Sequence, residues 1–367
     1  MTAVEQYVDE YIMGEKKLPY VDILAIHDHR TVYRLFKGDK VNGKEKLYLF
    51  SATKPLTVTT AMRLVEKGML DLDDPVCQYL PEAADTPYPD PEGNLIKNGK
   101  TMTVRHLFTM TAGFSYQFGD LIETFRPKHA DTRTVIAALL KRPLDFKPGD
   151  RFQYSLCHDV LAAVAEAAAG KRFADLVKEE ILAPLDMTHT GFHLPDEEVL
   201  PRCQFDGKTL YRDLRGVPDF VITDRYDSGG AGGIGTVEDY ALFADALACE
   251  GQAANGYRLL NSESVKTLRT EQIASYAVQN NFTCAQGADY GYALGVRTRL
   301  KPTAWGLPAG EFGWDGAAAF YALMDPVHHS SVVIGLHVGG WPAYIGDAHL
   351  QIAKRLYQTF PVLAESV

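Results

Sequence analysis

The sequence of 367 residues lacks several features that would assign it to a broad class of protein. No apolar stretch approaches the roughly 20 residues that a membrane-spanning helix needs, because the longest, residues 160–169, is interrupted by Glu166. No five like charges are adjacent, and 37 basic against 47 acidic residues leave a net charge of −10. We therefore predict no membrane span, and neither a nucleic acid nor an anionic membrane as partner.

Cysteine is also scarce, with five widely spaced residues and no C-x-x-C pair: Cys77, Cys157, Cys203, Cys249 and Cys284. An odd number of scattered cysteines favours free thiols in a reducing compartment. The first ten residues are acidic and amphipathic, whereas a signal peptide is basic and then apolar. Both observations predict a cytoplasmic protein.

The remaining composition is that of an ordinary globular protein of about two domains, with 46% hydrophobic and 23% charged residues. Strand-like runs occur near both ends of the chain, at 20–26, 31–36, 320–324 and 331–338. Between about residues 71 and 225, proline and aspartate separate short helical segments. We predict an α/β (α+β) fold in which residues 1–70 and 226–367 form one domain and residues 71–225 form a mostly helical insert.

The sharpest local motif is Ser51-Ala52-Thr53-Lys54, an S-x-x-K sequence at the start of a predicted helix. Positions i and i+3 share a helical face, so Lys54 can reach the Ser51 hydroxyl. A serine hydroxyl becomes an effective nucleophile when a neighbouring base takes its proton, and a desolvated lysine can be that base. The ordinary alternative is a serine at a helix N-terminus followed by a surface lysine.

Five segments occur in order along the chain: FSATKP at 50–55, EKGMLDLDDPV at 66–76, TVRHLFTMTAG at 103–113, FKPG at 146–149 with Tyr154 eight residues after its phenylalanine, and GAGGIGTVEDY at 230–240. In this succession the chain resembles the serine β-lactamase-like family, which contains class C β-lactamases, penicillin-binding D-Ala-D-Ala peptidases and family VIII carboxylesterases. The resemblance runs from about residue 45 to about residue 340. It implies an antiparallel sheet flanked by helices, with the active site at the junction with the helical insert.

The resemblance also assigns a role to Tyr154, which matches the tyrosine of the family's Y-x-N motif. In the family this tyrosine lies beside the serine and the lysine and relays the proton to the leaving group. A nearby ammonium favours the phenolate, which makes a tyrosine a usable general base. Leu156 stands where the family usually has an asparagine that helps hold an acylamino side chain, and this departure disfavours lactam and peptide substrates.

The family's third element is a K-T-G, H-x-G or W-x-G triplet on the strand that flanks the serine, and we align it with Trp314-Asp315-Gly316. The alignment implies that Trp314 walls the acyl pocket and that Gly316 lets the substrate lie against the strand. It also implies that the backbone N–H groups of Ser51 and Ala317 form an oxyanion hole.

Two further points depend on this alignment. An Asp315 carboxylate that faces the pocket would repel anionic acyl groups, so we expect neutral substrates. The competing assignment for the triplet is His337-Val338-Gly339, which lies on the next predicted strand.

Other motifs lead to no cofactor and no metal. Residues 230–235 fit G-x-G-x-x-G, but no buried strand precedes them, so nucleotide binding is not predicted. The histidine groups at 27–29 and 328–329 lack a third ligand at a recognisable spacing. Cys157 is interpreted as a small buried hydrophobe. The absence of G-x-S-x-G disfavours an α/β-hydrolase.

The sequence thus predicts a serine hydrolase that works through an acyl-enzyme. Ser51 is the predicted nucleophile, and Lys54 and Tyr154 share the general acid and base roles. The substrate we expect is a small molecule, a neutral carboxylic ester. Three alternatives stay open: a β-lactamase or D-amino-acid peptidase acting on amides, an acyltransferase, and a non-catalytic binding protein on the same fold.

Overall fold

Two hairpins from opposite ends of the chain meet in the central sheet. The computed structural model describes residues 1–216, 218–273, 287 and 289–365. Over these residues the chain forms fifteen strands: β1 (Tyr20–His27), β2 (Arg30–Gly38), β3 (Leu47–Tyr48), β4 (Pro87–Pro89), β5 (Leu95–Lys97), β6 (Gly191–Phe192), β7 (Arg202–Phe205), β8 (Leu210–Leu214), β9 (Gly233–Gly235), β10 (Tyr290–Tyr292), β11 (Arg297–Arg299), β12 (Phe312–Asp315), β13 (Phe320–Asp325), β14 (Ser330–Gly335) and β15 (Val338–Gly339).

Eleven α-helices lie within the same described residues: α1 (Ala3–Tyr7), α2 (Thr53–Glu66), α3 (Val104–Phe108), α4 (Gly119–Phe125), α5 (Thr132–Leu139), α6 (Cys157–Ala169), α7 (Phe173–Val177), α8 (Val237–Ala248), α9 (Ser262–Arg269), α10 (Trp341–Ile345) and α11 (Ala348–Thr359). Short 3-10 and π-helical turns extend or connect several of them, including Val8–Glu15 after α1 and Phe50–Ala52 before α2.

The central sheet has seven strands in the order β10-β11-β12-β13-β14-β1-β2, and every neighbouring pair is antiparallel. The N-terminal strand β1 pairs with the C-terminal strand β14, from Asp22 opposite Gly335 to His27 opposite Ser330. This pairing confirms the predicted antiparallel sheet, flanked by helices and built by both ends of the chain.

The central strands of the sheet are buried on both faces, which explains why β1 reads as an almost continuous apolar run. Successive residues of a strand point to opposite faces. Val21 and Ile23 therefore join a core with residues of α1 and α11, whereas Leu24 and Ile26 join the larger core that contains residues of α2, α6 and α8.

The segment at 71–225 contains more strand than the sequence analysis expected. Besides helices α3 to α7 it holds the hairpin of β4 and β5, and the hairpin of β7 and β8, which pairs with β15 near the other end of the chain. These strands have two to five residues, too few for a periodic signal in the local sequence, and β7 also pairs with the distant β15. The division into domains at residues 70 and 225 stays a prediction.

The sequence predicts free thiols and no membrane span. Cys77, Cys157, Cys203 and Cys249 are free thiols, and Cys284 lies outside the described residues. Among the helices that the structure describes, none is long and apolar enough to cross a membrane.

Candidate active site

Ser51 lies on a sharp turn between a strand and a helix. Strand β3 ends at Tyr48, a 3-10 turn covers Phe50–Ala52, and α2 begins at Thr53. Phe50 has a left-handed backbone with φ of +47°, a conformation that costs a non-glycine residue on the order of 1–3 kcal/mol. The Tyr240 hydroxyl donates to the Ala52 carbonyl over 2.8 Å and helps hold the turn. The turn leaves Ser51 half-buried at the entrance of the helix.

Lys54 is fully buried one helical turn after Ser51. Its Nζ donates to three oxygens, which are Ser51 Oγ at 3.1 Å, the Tyr116 hydroxyl at 3.3 Å and the Gly230 carbonyl at 2.7 Å. These three acceptors match the three N–H donors of an ammonium group. The contact between the lysine and the serine hydroxyl, which the i and i+3 spacing predicts, is present.

Tyr154 and Trp314 complete the group of side chains around Lys54. The Lys54 Nζ lies 4.7 Å from the centre of the Tyr154 ring. The indole Nε1 of Trp314 donates to the Tyr154 hydroxyl over 3.2 Å, and the two rings stack with their centres 5.7 Å apart. The structure therefore brings Ser51, Lys54, Tyr154 and Trp314 into one cluster.

Tyr116 belongs to the same cluster and was not foreseen. Its hydroxyl accepts a hydrogen bond from Lys54, and the centre of its ring lies 5.6 Å from the centre of the Tyr154 ring. Burial raises the pKa of the Tyr116 phenol well above its usual range, and the Tyr154 phenol raises it further. Tyr116 lies in the loop between α3 and α4, more than 60 residues after Lys54, so no local spacing could indicate the contact.

A buried carboxylate supports the carbonyl that Lys54 contacts. Asp159 of α6 accepts hydrogen bonds from the Tyr226 hydroxyl at 2.9 Å and from Ser228 Oγ at 2.7 Å. Burial raises the pKa of Asp159, while the Ser228 bond and the Lys54 charge oppose that rise. A Cβ on Gly230 would lie 2.5 Å from Asp159 Oδ2, so any other residue there would displace this carboxylate. The glycine-rich segment at 230–235 thus supplies an acceptor for Lys54, a role that the sequence did not reveal.

The Trp314-Asp315-Gly316 triplet lies directly against the turn that carries Ser51. A Cβ on Gly316 would lie 2.2 Å from the Leu49 carbonyl oxygen, so this close approach requires glycine. Ala317 follows as an exposed residue. The alternative residue His337 is buried beside the end of β3: the Tyr48 backbone N–H donates to its Nε2 over 3.3 Å, and burial lowers its pKa to about 3.

The carboxylate of Asp315 forms an ion pair that the sequence analysis did not consider. The fully buried guanidinium of Arg297, on the adjacent strand β11, donates to Asp315 at 3.1 Å and to the Ala322 carbonyl at 2.8 Å. The positive charge of the Arg297 guanidinium therefore compensates the negative charge of the Asp315 carboxylate. Because of this ion pair, the structure does not support the expectation that Asp315 repels anionic substrates.

Apolar and aromatic side chains surround the serine. Leu156 is buried at the start of α6 and belongs to the main core. A series of neighbouring rings extends from the cluster past Ser51, with ring centres 5.6 to 6.3 Å apart from one pair to the next: Tyr154, Tyr116, Phe118, Phe220 and Phe50. This series of side chains next to the serine is therefore aromatic.

Comparisons with known proteins place the chain among related sequences and structures. Residues 3–354 match the profile of the Beta-lactamase family. Esterase EstB of Burkholderia gladioli is 29% identical in an alignment that covers 89% of this chain and 87% of the esterase. A putative D-alanyl-D-alanine carboxypeptidase of Escherichia coli K12 is 26% identical, with 86% and 77% covered. The solved structure of EstCE1, titled a hydrolase with promiscuous acyltransferase activity, superposes with a TM-score of 0.77 at 22% identity over 96% of both chains, a likeness in fold.

Proposed function

The chain belongs to the Beta-lactamase family, whose members include serine hydrolases, and on this premise we propose that it is a carboxylesterase that cleaves small neutral esters through an acyl-enzyme. One observation carries the proposal: the buried Lys54 Nζ lies 3.1 Å from the half-buried Ser51 Oγ. A lysine in that position can accept or electrostatically assist the loss of the serine proton.

In the first half of the reaction, Ser51 Oγ attacks the ester carbonyl and forms a C–O bond. The Oγ proton moves through Lys54 towards the tyrosine pair, and the leaving alkoxide takes up a proton as its bond to the carbonyl carbon breaks. Tyr154 is the proposed donor to the leaving group, with Tyr116 bridging it to Lys54. The products of this half are an alcohol and an ester of Ser51.

In the second half, water attacks the acyl-enzyme and releases the acid. The same lysine and tyrosine groups take the proton from water and return one to Ser51 Oγ. The backbone N–H groups of Ser51 and Ala317 are the proposed donors to the oxyanion in both halves. The contact of Gly316 with Leu49 supports this assignment, because it brings the end of β12 next to the serine turn.

The choice of esters over lactams is supported by the nature of the surrounding side chains. Leu156 and the series of aromatic rings favour apolar groups on the substrate, and Trp314 aligns with the triplet position where lactam-accepting members of the family have a cation or neutral hydrogen-bonding groups. The Arg297 guanidinium is buried and already forms an ion pair with Asp315. Esterase EstB, which resembles this chain over most of its length, fits the same interpretation.

A side-by-side kinetic comparison tests this choice of substrate. We expect kcat/KM for p-nitrophenyl acetate or butyrate to exceed that for nitrocefin or benzylpenicillin by about a hundredfold or more, at one pH and one salt concentration. Product analysis with an added alcohol separates hydrolysis from acyl transfer. Equal or greater efficiency on the penicillin would overturn the esterase assignment in favour of a lactamase.

A further inference from the structure

Two turns at one end of the central sheet and the end of helix α8 gather five side chains of metal-binding type. Asp28 and His29 form the turn between β1 and β2, and His329 lies in the turn between β13 and β14. Asp245 lies in the last turn of α8, and Cys249 follows that helix directly. The backbone N–H of Asp28 donates to the His329 carbonyl over 2.9 Å and ties the two turns together.

The ligand atoms of these side chains form two compact triads that share Cys249. His29 Nδ1 lies 2.7 Å from Asp245 Oδ2, and Cys249 Sγ lies 3.8 Å from Asp245 Oδ1. In the triad of His29, Asp245 and Cys249, and in the triad of Asp28, Cys249 and His329, all ligand atoms lie within 4.8 Å of one another. In a tetrahedral zinc site, bonds of about 2.0–2.3 Å place two ligand atoms about 3.3–3.8 Å apart. The most widely separated pairs would therefore have to approach by about 1 Å on binding, a distance that side-chain rotation can supply.

The burial and the charge of the cluster also favour a cation. Cys249 and Asp245 are buried, whereas His29, His329 and Asp28 are partly or largely exposed and leave the outer side open to solvent. Among the ion pairs of the described residues, the Asp245 carboxylate pairs only with His29, and the Asp28 carboxylate pairs only with His329. A divalent cation would supply the charge that the acidic groups and a thiolate require.

We propose that Cys249, His29 and Asp245 bind a divalent metal ion of the zinc class, with Asp28 or His329 as the fourth ligand. On binding, the S–H bond of Cys249 breaks, a sulfur–metal bond forms and the proton leaves to solvent. Thiolate and imidazole ligands favour zinc over magnesium or calcium. The sequence analysis predicted no metal because the histidine groups lacked a third ligand, and the fold supplies it from α8.

The ion would stabilise the fold and take no part in ester cleavage. Helix α8 begins directly after β9, which pairs with β3 just before Ser51. Its twelve residues extend about 18 Å, so the cluster at its far end lies well away from the serine. The proposal is therefore independent of the proposed esterase activity.

The test uses the full chain, stripped of metal by a chelator and dialysed. Titration with Zn²⁺ alone should show one saturable site per chain, and a hundredfold excess over Kd should raise Tm by about 2–5 °C. Co²⁺ in place of zinc should give the near-ultraviolet charge-transfer band of a cobalt–thiolate bond. Cys249→Ser should abolish that band, whereas the matched control Cys203→Ser, which removes a buried thiol of β7, should keep it.

Each of three results would overturn the proposal: no saturable Zn²⁺ binding by the wild-type chain, a Co²⁺ spectrum without a thiolate band, or a band that survives Cys249→Ser. If the serine variant does not fold, His29→Gln replaces it, because His29 is partly exposed in a turn. That variant should weaken zinc binding at least tenfold. Unchanged affinity would contradict the inner triad.

Discussion

The indole Nε1 of Trp314 donates a hydrogen bond of 3.2 Å to the hydroxyl oxygen of Tyr154. An indole N–H can only donate, so the Tyr154 oxygen must accept in this contact, and its own proton is left to point elsewhere. The stacked rings fix the direction of the phenol. Trp314 therefore orients the proposed acid–base tyrosine.

Removing the indole N–H should slow the chemical step. Trp314→Phe keeps an aromatic ring but loses a hydrogen bond that contributes about 1 kcal/mol, so kcat should fall about three- to tenfold with little change in KM. Steady-state kinetics on p-nitrophenyl butyrate measure both constants.

A double-mutant cycle with Tyr154→Phe isolates this bond from other effects of the substitution. If Trp314 acts through the Tyr154 hydroxyl, Trp314→Phe should have almost no further effect on kcat once that hydroxyl is gone. Losses that simply add would show that Trp314 acts by another route.

Asp159 should matter for both stability and turnover. In Asp159→Asn the amide oxygen can still accept from the Tyr226 and Ser228 hydroxyls, which both donate to Oδ1, so the NH₂ group replaces Oδ2 and meets the backbone N–H of Gly230. We expect the free energy of unfolding to fall by about 2 kcal/mol, and kcat to fall as the Gly230 carbonyl moves relative to Lys54. Urea unfolding and kinetics check both, with the exposed Asp150→Asn as control. Wild-type kcat in Asp159→Asn would remove this residue from the support of Lys54.

Glu166 of α6 should give the fold a measurable pH dependence. Burial raises its pKa to about 7, against the effect of the Phe173 N–H, which donates to it over 2.8 Å. The folded chain therefore holds the proton of the Glu166 carboxyl more tightly than the unfolded chain does. The free-energy cost of burying the charged carboxylate is full above pH 7 and disappears as the pH falls towards 4.5.

Glu166→Gln removes the charge and keeps an oxygen that can accept from Phe173. The variant should therefore have a higher Tm than the wild type at pH 8, and the difference should shrink to near zero at pH 4.5. Thermal unfolding followed by circular dichroism across this range measures the difference. A constant difference at all pH values would contradict the raised pKa.

The fold and part of the site could be predicted because their signals are local. The i and i+3 spacing of Ser51 and Lys54 follows from helix geometry alone, and β1 and β14 are visible as apolar runs. Tyr154 and Trp314 could be selected only through the resemblance to a family, since nothing near them in sequence indicates their contact.

The remaining features depend on tertiary structure. Tyr116 and Asp159 reach the site from distant segments, and Arg297 neutralises Asp315 from an adjacent strand whose partner cannot be read from spacing. Strands such as β7 are too short for a periodic signal, and the pairing of β7 with β15 joins segments more than 100 residues apart. The sequence could therefore indicate which residue types carry the chemistry, but not which charges are already compensated.

Covalent labelling with a fluorophosphonate probe, followed by intact-mass measurement and peptide mapping, tests the central role of Ser51 most directly. Such a probe forms a bond to an activated serine and displaces fluoride. The wild-type chain should gain the mass of one probe, mapped to Ser51, while Ser51→Ala should gain none and should lose ester turnover by about a thousandfold or more. Equal labelling of Ser51→Ala, or near-native turnover by that variant, would show that the nucleophile lies elsewhere.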